Sequence, residues 1–234
     1  KLFMDETPVP VLDPGRGRTK TGYLWVLARD DRGWSGNDPP GIIYHYAPGR
    51  SGKHAEPLIQ GFDGILQVDG YAGYNRLTKA ERQGGAPLVL AYCWTHARRQ
   101  LKEIFDRDGS TIAAEGLAQI AALYRIEAEI RGRSSPERLA IRATRSRPLV
   151  EAFGQWLTAQ RARVSRKSRI GEKLTYIANQ WDGLLVFLTD GRVEIELTSH
   201  AFRRLHLHEG ARRYVSLKQE NLFLVSASPQ PASQ

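Results

Sequence analysis

The chain has 234 residues, with 34 Lys and Arg against 25 Asp and Glu for a net charge of +9, and 41% of its residues are hydrophobic. That composition suits a globular protein of one large domain or two small ones and excludes a disordered or fibrous one. No apolar run reaches the roughly 20 residues of a membrane span and no signal-peptide pattern opens the chain; the single cysteine, Cys93, excludes an internal disulfide or a Cys-based zinc site.

The first ninety residues read as β-rich. Leu2-Phe3-Met4 leads into Asp5, and Pro8, Pro10 and Pro14-Gly15 are expected to break the pattern. Tyr23 to Leu27 and Gly41 to Tyr46, rich in aromatic and branched side chains, give two further strands and an antiparallel meander of three. His54 to Phe62 suggests a short helix. Gly64 to Val68 and Leu88 to Tyr92 are apolar enough for the inside of a sheet. From Trp94 the texture turns helical: residues 95–107 and 112–131 carry apolar positions at three- and four-residue spacing. Ser134-Ser135-Pro136-Glu137 starts another helix, the basic 137–169 stretch and 170–189 continue helical, and the last twenty residues read as a frayed tail. The opening residues read as the middle of a strand, so the chain is taken as a fragment or a product cut at its front.

The charge is uneven. Residues 131–173 hold twelve basic and three acidic side chains, a net of +9, and so account for the whole imbalance. Such a segment suits DNA phosphates; the plain alternative is a solvated helical face. Asp5 and Asp69 each end an apolar strand, and Asp69 precedes small residues that admit a substrate backbone. Paired carboxylates there suit Mg²⁺ or Mn²⁺, while the ordinary role of such residues is to cap turns. In Cys93-Trp94-Thr95-His96-Ala97-Arg98-Arg99, a zinc pair or a Cys–His nucleophile is the sharper reading. The plainer one packs Cys93 and Trp94 inside and turns His96, Arg98 and Arg99 towards a polyanion or acidic groups. No phosphate loop or Gly-x-Gly-x-x-Gly supports a nucleotide cofactor.

Several strings together resemble the insertion sequence 66 family of bacterial transposases: Asp5 to Leu12, Gly22 to Trp25, Leu66 to Asn75, Cys93 to Arg99 and Asp190 to Ile195. They stand in family order and spacing over roughly residues 2–196. The resemblance implies an α/β fold: a ribonuclease-H-like core (a mixed sheet with three antiparallel strands) interrupted by a mainly helical insertion. The chain then divides into the β-rich core at 1–100, the insertion at 101–189 with its basic segment 131–173, and the end of the core with a degenerate tail at 190–234. It also implies an Asp, Asp, Glu triad holding Mg²⁺, with Asp5 first and Asp69 second. For the Glu, a direct count from Ile195 reaches Ala201, while a register taken from the tail reaches Glu209 with eight extra residues before it. Glu209 is carried as the third ligand, and the departure suggests a decayed or frame-disrupted copy.

The expected activity is therefore metal-dependent DNA strand cleavage and strand transfer, with a catalytically inactive DNA-binding remnant of the same fold as the alternative. A ribonuclease-H-like nuclease unrelated to transposition is disfavoured, because the matches run beyond the two Asp positions. DNA contacts are expected from His96, Arg98, Arg99, Arg161, Arg163, Arg166, Lys167 and Arg169. The partners expected are double-stranded DNA, at transposon ends and target, and further copies of the chain, in the bacterial cytoplasm, on the nucleoid when DNA-bound, and with no membrane.

Overall fold

The computed structural model describes residues 1–195 and the backbone of Phe223–Leu224. The described residues form two compact units, one built on residues 1–31 and 38–89, the other on residues 32–37 and 90–195.

The first unit is built on β1 (Leu2–Asp13), β2 (Arg18–Arg29), β3 (Gly41–Ala47) and β4 (Ile65–Val68), and β5 (Val89–Tyr92) begins in it. β1, β2 and β3 form the antiparallel meander, and β4 runs parallel to β1. The sheet is larger than that antiparallel trio. Its five strands take the order β5-β4-β1-β2-β3, with the short strand β6 (Phe223–Leu224) along the outer side of β3. Phe3, Met4, Trp25, Val26, Ile59, Leu66, Val68, Tyr74 and Leu77 are buried, so the core lies against β1, β2 and β4.

Two expectations fail here. Pro8 and Pro10 do not end the first strand, because β1 continues through both to Asp13. Proline is tolerated in a sheet where its missing N–H would face an unpaired edge. β4 pairs with β1 only at Leu2 and Phe3, so the edge of β1 away from β2 is unpaired beyond Phe3 among the described residues. Two prolines two residues apart both turn to that edge. Between His54 and Phe62, tight 3₁₀ turns at Gly52–His54 and Glu56–Ile59 replace the expected helix. Pro57 sits in the first turn of the second.

The second unit is helical: α1 (Trp94–Asp108), α2 (Thr111–Glu129), α3 (Ser135–Ile141), α4 (Arg147–Arg163), α5 (Arg169–Asn179) and α6 (Trp181–Leu185). α1 buries Trp94, Ala97, Leu101 and Ile104, one face at helical spacing. It stops at Gly109, whose φ of +63° is the left-handed C-terminal cap that glycine reaches without strain. Ser110 caps α2 by accepting from the Ala113 N–H at 3.3 Å. Glu137 accepts from the Ser134 N–H at 2.9 Å, half of a capping box at the start of α3. The helical stretch expected over 137–169 is interrupted twice. Arg142–Ser146 winds as a π turn, since Pro148 lacks the donor for the carbonyl of Thr144 and its ring crowds that carbonyl. Residues 164–168 then leave the helix until Ser168 caps α5 through the Gly171 N–H at 3.2 Å. Trp94 is fully buried, with edge-on ring contacts to Phe153, Trp181 and Phe187, and its indole N–H donates to the Leu184 carbonyl at 3.0 Å. Cys93 is buried beside it. Packing is therefore the role of this pair. Among the described residues, no helix is long and apolar enough to cross a membrane.

Candidate active site and nucleic-acid surface

Asp5 and Asp69 are brought together by strand register. β1 and β4 run parallel with Leu2 opposite Leu66 and Phe3 opposite Gln67. Two residues further along each chain stand Asp5, within β1, and Asp69, just past the end of β4, and the charges of both act on the Tyr74 hydroxyl. Asp5 Oδ1 accepts from the Glu6 N–H at 2.9 Å. Asp69 closes a local turn by accepting from the Tyr71 N–H at 2.8 Å, and its side chain keeps 19% of its surface exposed. The turn-capping role and the functional one therefore coexist at Asp69.

Between these carboxylates lies a network that sequence reasoning missed. The Glu6 side chain has no exposure and is held by Arg50, whose Nε donates to Oε1 at 2.6 Å, and by Tyr74, whose hydroxyl donates to Oε2. Arg50 Nη2 reaches Asp69 Oδ2 at 3.9 Å, and the guanidinium stacks 4.1 Å from the centre of the Tyr71 ring. Tyr71 in turn donates to the Arg50 carbonyl at 2.8 Å. Burial pushes the Glu6 carboxyl above the ordinary range, with the Asp69 charge adding; the bonds from Tyr74 and Arg50 act in the other direction without cancelling that shift. Tyr74 is pushed far above the usual phenol range, first by burial and then by the Glu6 charge, with Asp5 and Asp69 contributing. It is thus a fixed neutral donor, and all three carboxylates act on its one hydroxyl. Glu6 and Tyr74 belong to the matched strings, but Arg50, 44 residues from Glu6 in sequence, carries no such signal.

A divalent cation fits this place in donor type: carboxylate oxygens are the ligands that Mg²⁺ and Mn²⁺ prefer. Among the described residues, no three His, Cys, Asp or Glu side chains come together as a metal-holding group. Asp5 and Asp69 are thus two donors, and Glu209, like Ala201 and the tail, lies outside the described residues.

The expected DNA-contacting residues fall into two groups. His96, Arg98 and Arg99 occupy the start of α1, with Arg99 exposed and the other two half-buried. Arg161 and Arg163 end α4, Arg166 and Lys167 lie in the link, and Arg169 opens α5; all but the half-buried Arg161 are exposed. Arg169 lies near Asp108, whose carboxyl is held below the ordinary range by Arg107 first and by Arg169 to a lesser degree. His96 is twelve residues back along α1 from Asp108, about 18 Å at 1.5 Å per residue. The two groups are therefore separate patches.

The rest of the basic segment is only partly a surface. Arg138 and Arg142 are buried on Glu127: Arg142 donates Nε and Nη2 to its two oxygens at 2.7 and 2.6 Å, and Arg138 donates Nη2 at 3.2 Å. Arg142 also bonds the carbonyls of Phe187 and Val193, both at 2.8 Å. Arg145 pairs with Glu129 and Lys173 with Glu103 at the surface. The charge of residues 131–173 is therefore divided between structural pairs and exposed cations, some around 163–169 and others at Arg131, Arg133 and Arg147.

The model of the family described as "Transposase IS66 family" matches residues 1–198. The chain is also 39% identical over 226 residues to the uncharacterized protein y4jD of Sinorhizobium fredii, covering 96% of this chain and 43% of that protein. It is 36% identical over 198 residues to the uncharacterized protein y4qI of the same organism, covering 84% and 37%. The chain thus spans about two fifths of the length of these curated relatives. With residues 1–198 matched, the chain belongs to the IS66 family of transposases.

Proposed function

We propose that this chain carries the catalytic domain of a DNA-transposing enzyme, on a ribonuclease-H-like core whose helical unit is an insertion. What supports the reading is the strand register in a member of a transposase family: β1 and β4 run parallel, and counting on from Phe3 and Gln67 leads to Asp5 within β1 and to Asp69 just past β4. When bound there, a divalent cation supplies a Lewis acid for phosphodiester cleavage and for the strand transfer that follows. Asp5 and Asp69 hold it, with Glu209 as the third ligand. Arg50 and Tyr74 fix Glu6 and so keep β1 and the 72–78 turn in place beside the two Asp side chains. The exposed cations Arg163, Arg166, Lys167 and Arg169 hold the DNA backbone by phosphate contacts, which position a duplex without reading its sequence. His96, Arg98 and Arg99 form a second, smaller contact. The protein works in the cytoplasm on double-stranded DNA, as an assembly of several copies.

The test is nicking of a supercoiled plasmid bearing the element's ends, in Mg²⁺ and in Mn²⁺. The wild-type chain nicks it, and Asp69→Asn reduces nicking at least a hundredfold while DNA binding persists. Binding without nicking by the wild-type chain in either metal would establish the inactive remnant instead.

A further inference from the structure

β1 and β2 extend well past the sheet that anchors them. β4 leaves β1 after Phe3, and β3 pairs with β2 only as far as Tyr23. From Val9 paired with Gly22 to Asp13 paired with Arg18, the two strands pair only with each other among the described residues. Five residues per strand make a ribbon about 17 Å long. Its turn stands clear: Gly15 and Gly17 have φ of +89° and +62°, and a Cβ on either would meet nothing within 4 Å. Leu12 is 81% exposed. A lone two-stranded ribbon buries too little to be stable in water on its own, so this one is either an idle loop or a contact element.

Its chemistry says what it contacts. The register puts Asp13 beside Arg18 and Val11 beside Lys20, so one face carries Asp13, Arg18 and Lys20, with Arg16 in the turn. Asp13 is the one acid between Thr7 and Arg29. It reaches Arg16 at 3.5 Å and Lys20 at 3.7 Å, loose pairs whose cations are 68% and 55% exposed. The face keeps a net charge of +2. Strand addition by another protein is disfavoured on the β1 edge, because Pro8 and Pro10 remove its donors there. A basic ribbon whose β1 edge resists strand pairing fits a polyanion. We propose that the β1–β2 ribbon is a DNA-contacting finger whose Arg16, Arg18 and Lys20 lie on duplex phosphates. The proposal rests on the reading of the chain as a DNA-transposing domain and adds a contact outside residues 131–173.

The experiment titrates the 234-residue chain onto a fluorescent 30-base-pair duplex across a series of NaCl concentrations. Removing one phosphate contact flattens the slope of log K against log salt by about 0.9. Arg16→Ala with Arg18→Ala and Lys20→Ala should flatten it by about 2 to 3 and weaken binding more than tenfold at low salt. Arg16→Lys with Arg18→Lys keeps the charge and should keep the slope. Circular dichroism of the triple variant should match the wild type, since all three side chains are exposed. An unchanged slope in the triple variant, while alanines at Arg163, Arg166, Lys167 and Arg169 flatten it, overturns the finger and leaves the DNA reading standing. A wild-type chain that does not bind duplex overturns both. A triple variant that changes the oligomeric state in sedimentation but not the salt slope makes the ribbon a protein contact and overturns the finger.

Discussion

Removing Glu127 tests whether the basic segment is held from inside. Its carboxylate lies between two buried guanidiniums and accepts from Arg142 at 2.7 and 2.6 Å and from Arg138 at 3.2 Å. Burial first, and then the neighbouring Arg142 charge, pulls the Arg138 pKa below its ordinary value. Two neighbouring buried cations are tolerable chiefly because Glu127 accepts from both, with the Glu194 charge also acting on Arg138. Glu127→Ala leaves both charges buried without it. Breaking a buried ion pair by deleting one partner costs about 3–5 kcal/mol. For a chain of this size each kcal/mol moves the Tm by about 2–4 °C, so the drop should be about 6–20 °C.

The readout is urea and thermal unfolding followed by tryptophan fluorescence, since Trp94, Trp156 and Trp181 all report on the helical unit. Glu127→Gln keeps the volume but turns an amide N–H₂ towards the guanidiniums, and should fall in the same range. A loss under about 1 kcal/mol for either variant would refute the reasoning, because it would mean that water or a rearrangement satisfies Arg138 and Arg142. The surface pair of Arg145 and Glu129 supplies the contrast: both side chains are about half exposed, and water screens such a pair so that deleting one partner leaves no buried charge behind.

Two further predictions concern the carboxylate site. Because burial raises the Glu6 pKa above 4.5, the folded state holds more protons than the unfolded state in the window that begins at pH 4.5 and extends to the raised folded value. Glu6 thus contributes stability below pH 4.5 that is lost as pH rises through the folded pKa. The stability of Glu6→Gln relative to wild type should therefore increase with pH across that window, read by urea unfolding at a series of pH values; parallel curves would count against a raised pKa. At Gly52, an added Cβ would stand 2.0 Å from the Gly73 carbonyl oxygen, a backbone atom that cannot rotate away. Gly52→Ala should cost about 1–3 kcal/mol and lower plasmid nicking by displacing the turn that carries Tyr74; unchanged stability and nicking would show that the turn yields without cost.

What the sequence made legible was local. Asp69 could be singled out because an apolar strand, an acid and a run of small residues follow one another, and Trp94 as packing because it opens an amphipathic helix. Ser134 and Glu137 announced a helix start at the right residue. The prolines of β1 misled for a physical reason: their effect depends on which edge they face, and that is decided by where β4 stops, sixty residues later in sequence. The Glu6, Arg50 and Tyr74 network was illegible for the same reason, since its members come from three elements and only the folded chain joins them. Charge counting failed in a different way. It found the basic segment, but Arg138 and Arg142 turn inward because Glu127 waits for them on the preceding helix, and a linear count cannot see direction.

Arg50, although it stands beside the two Asp residues, is not placed to displace a metal ion from them. Three carboxylates, Asp5, Glu6 and Asp69, act on the hydroxyl of Tyr74, and one cation stands among them. Arg50 is not shared equally: it lies 2.6 Å from Glu6 and 3.9 Å from Asp69. Glu6, without exposure, is the anion that most needs a partner, since desolvation penalises its charge most. Arg50 and Tyr74 saturate both of its oxygens. That internal pairing leaves Asp5, which is exposed, and Asp69, which is partly so, as the more accessible carboxylates of the three. With Glu6 neutralised from within, the divalent cation proposed for this site would find Asp5 and Asp69 unclaimed by Glu6's partners at hydrogen-bond distance.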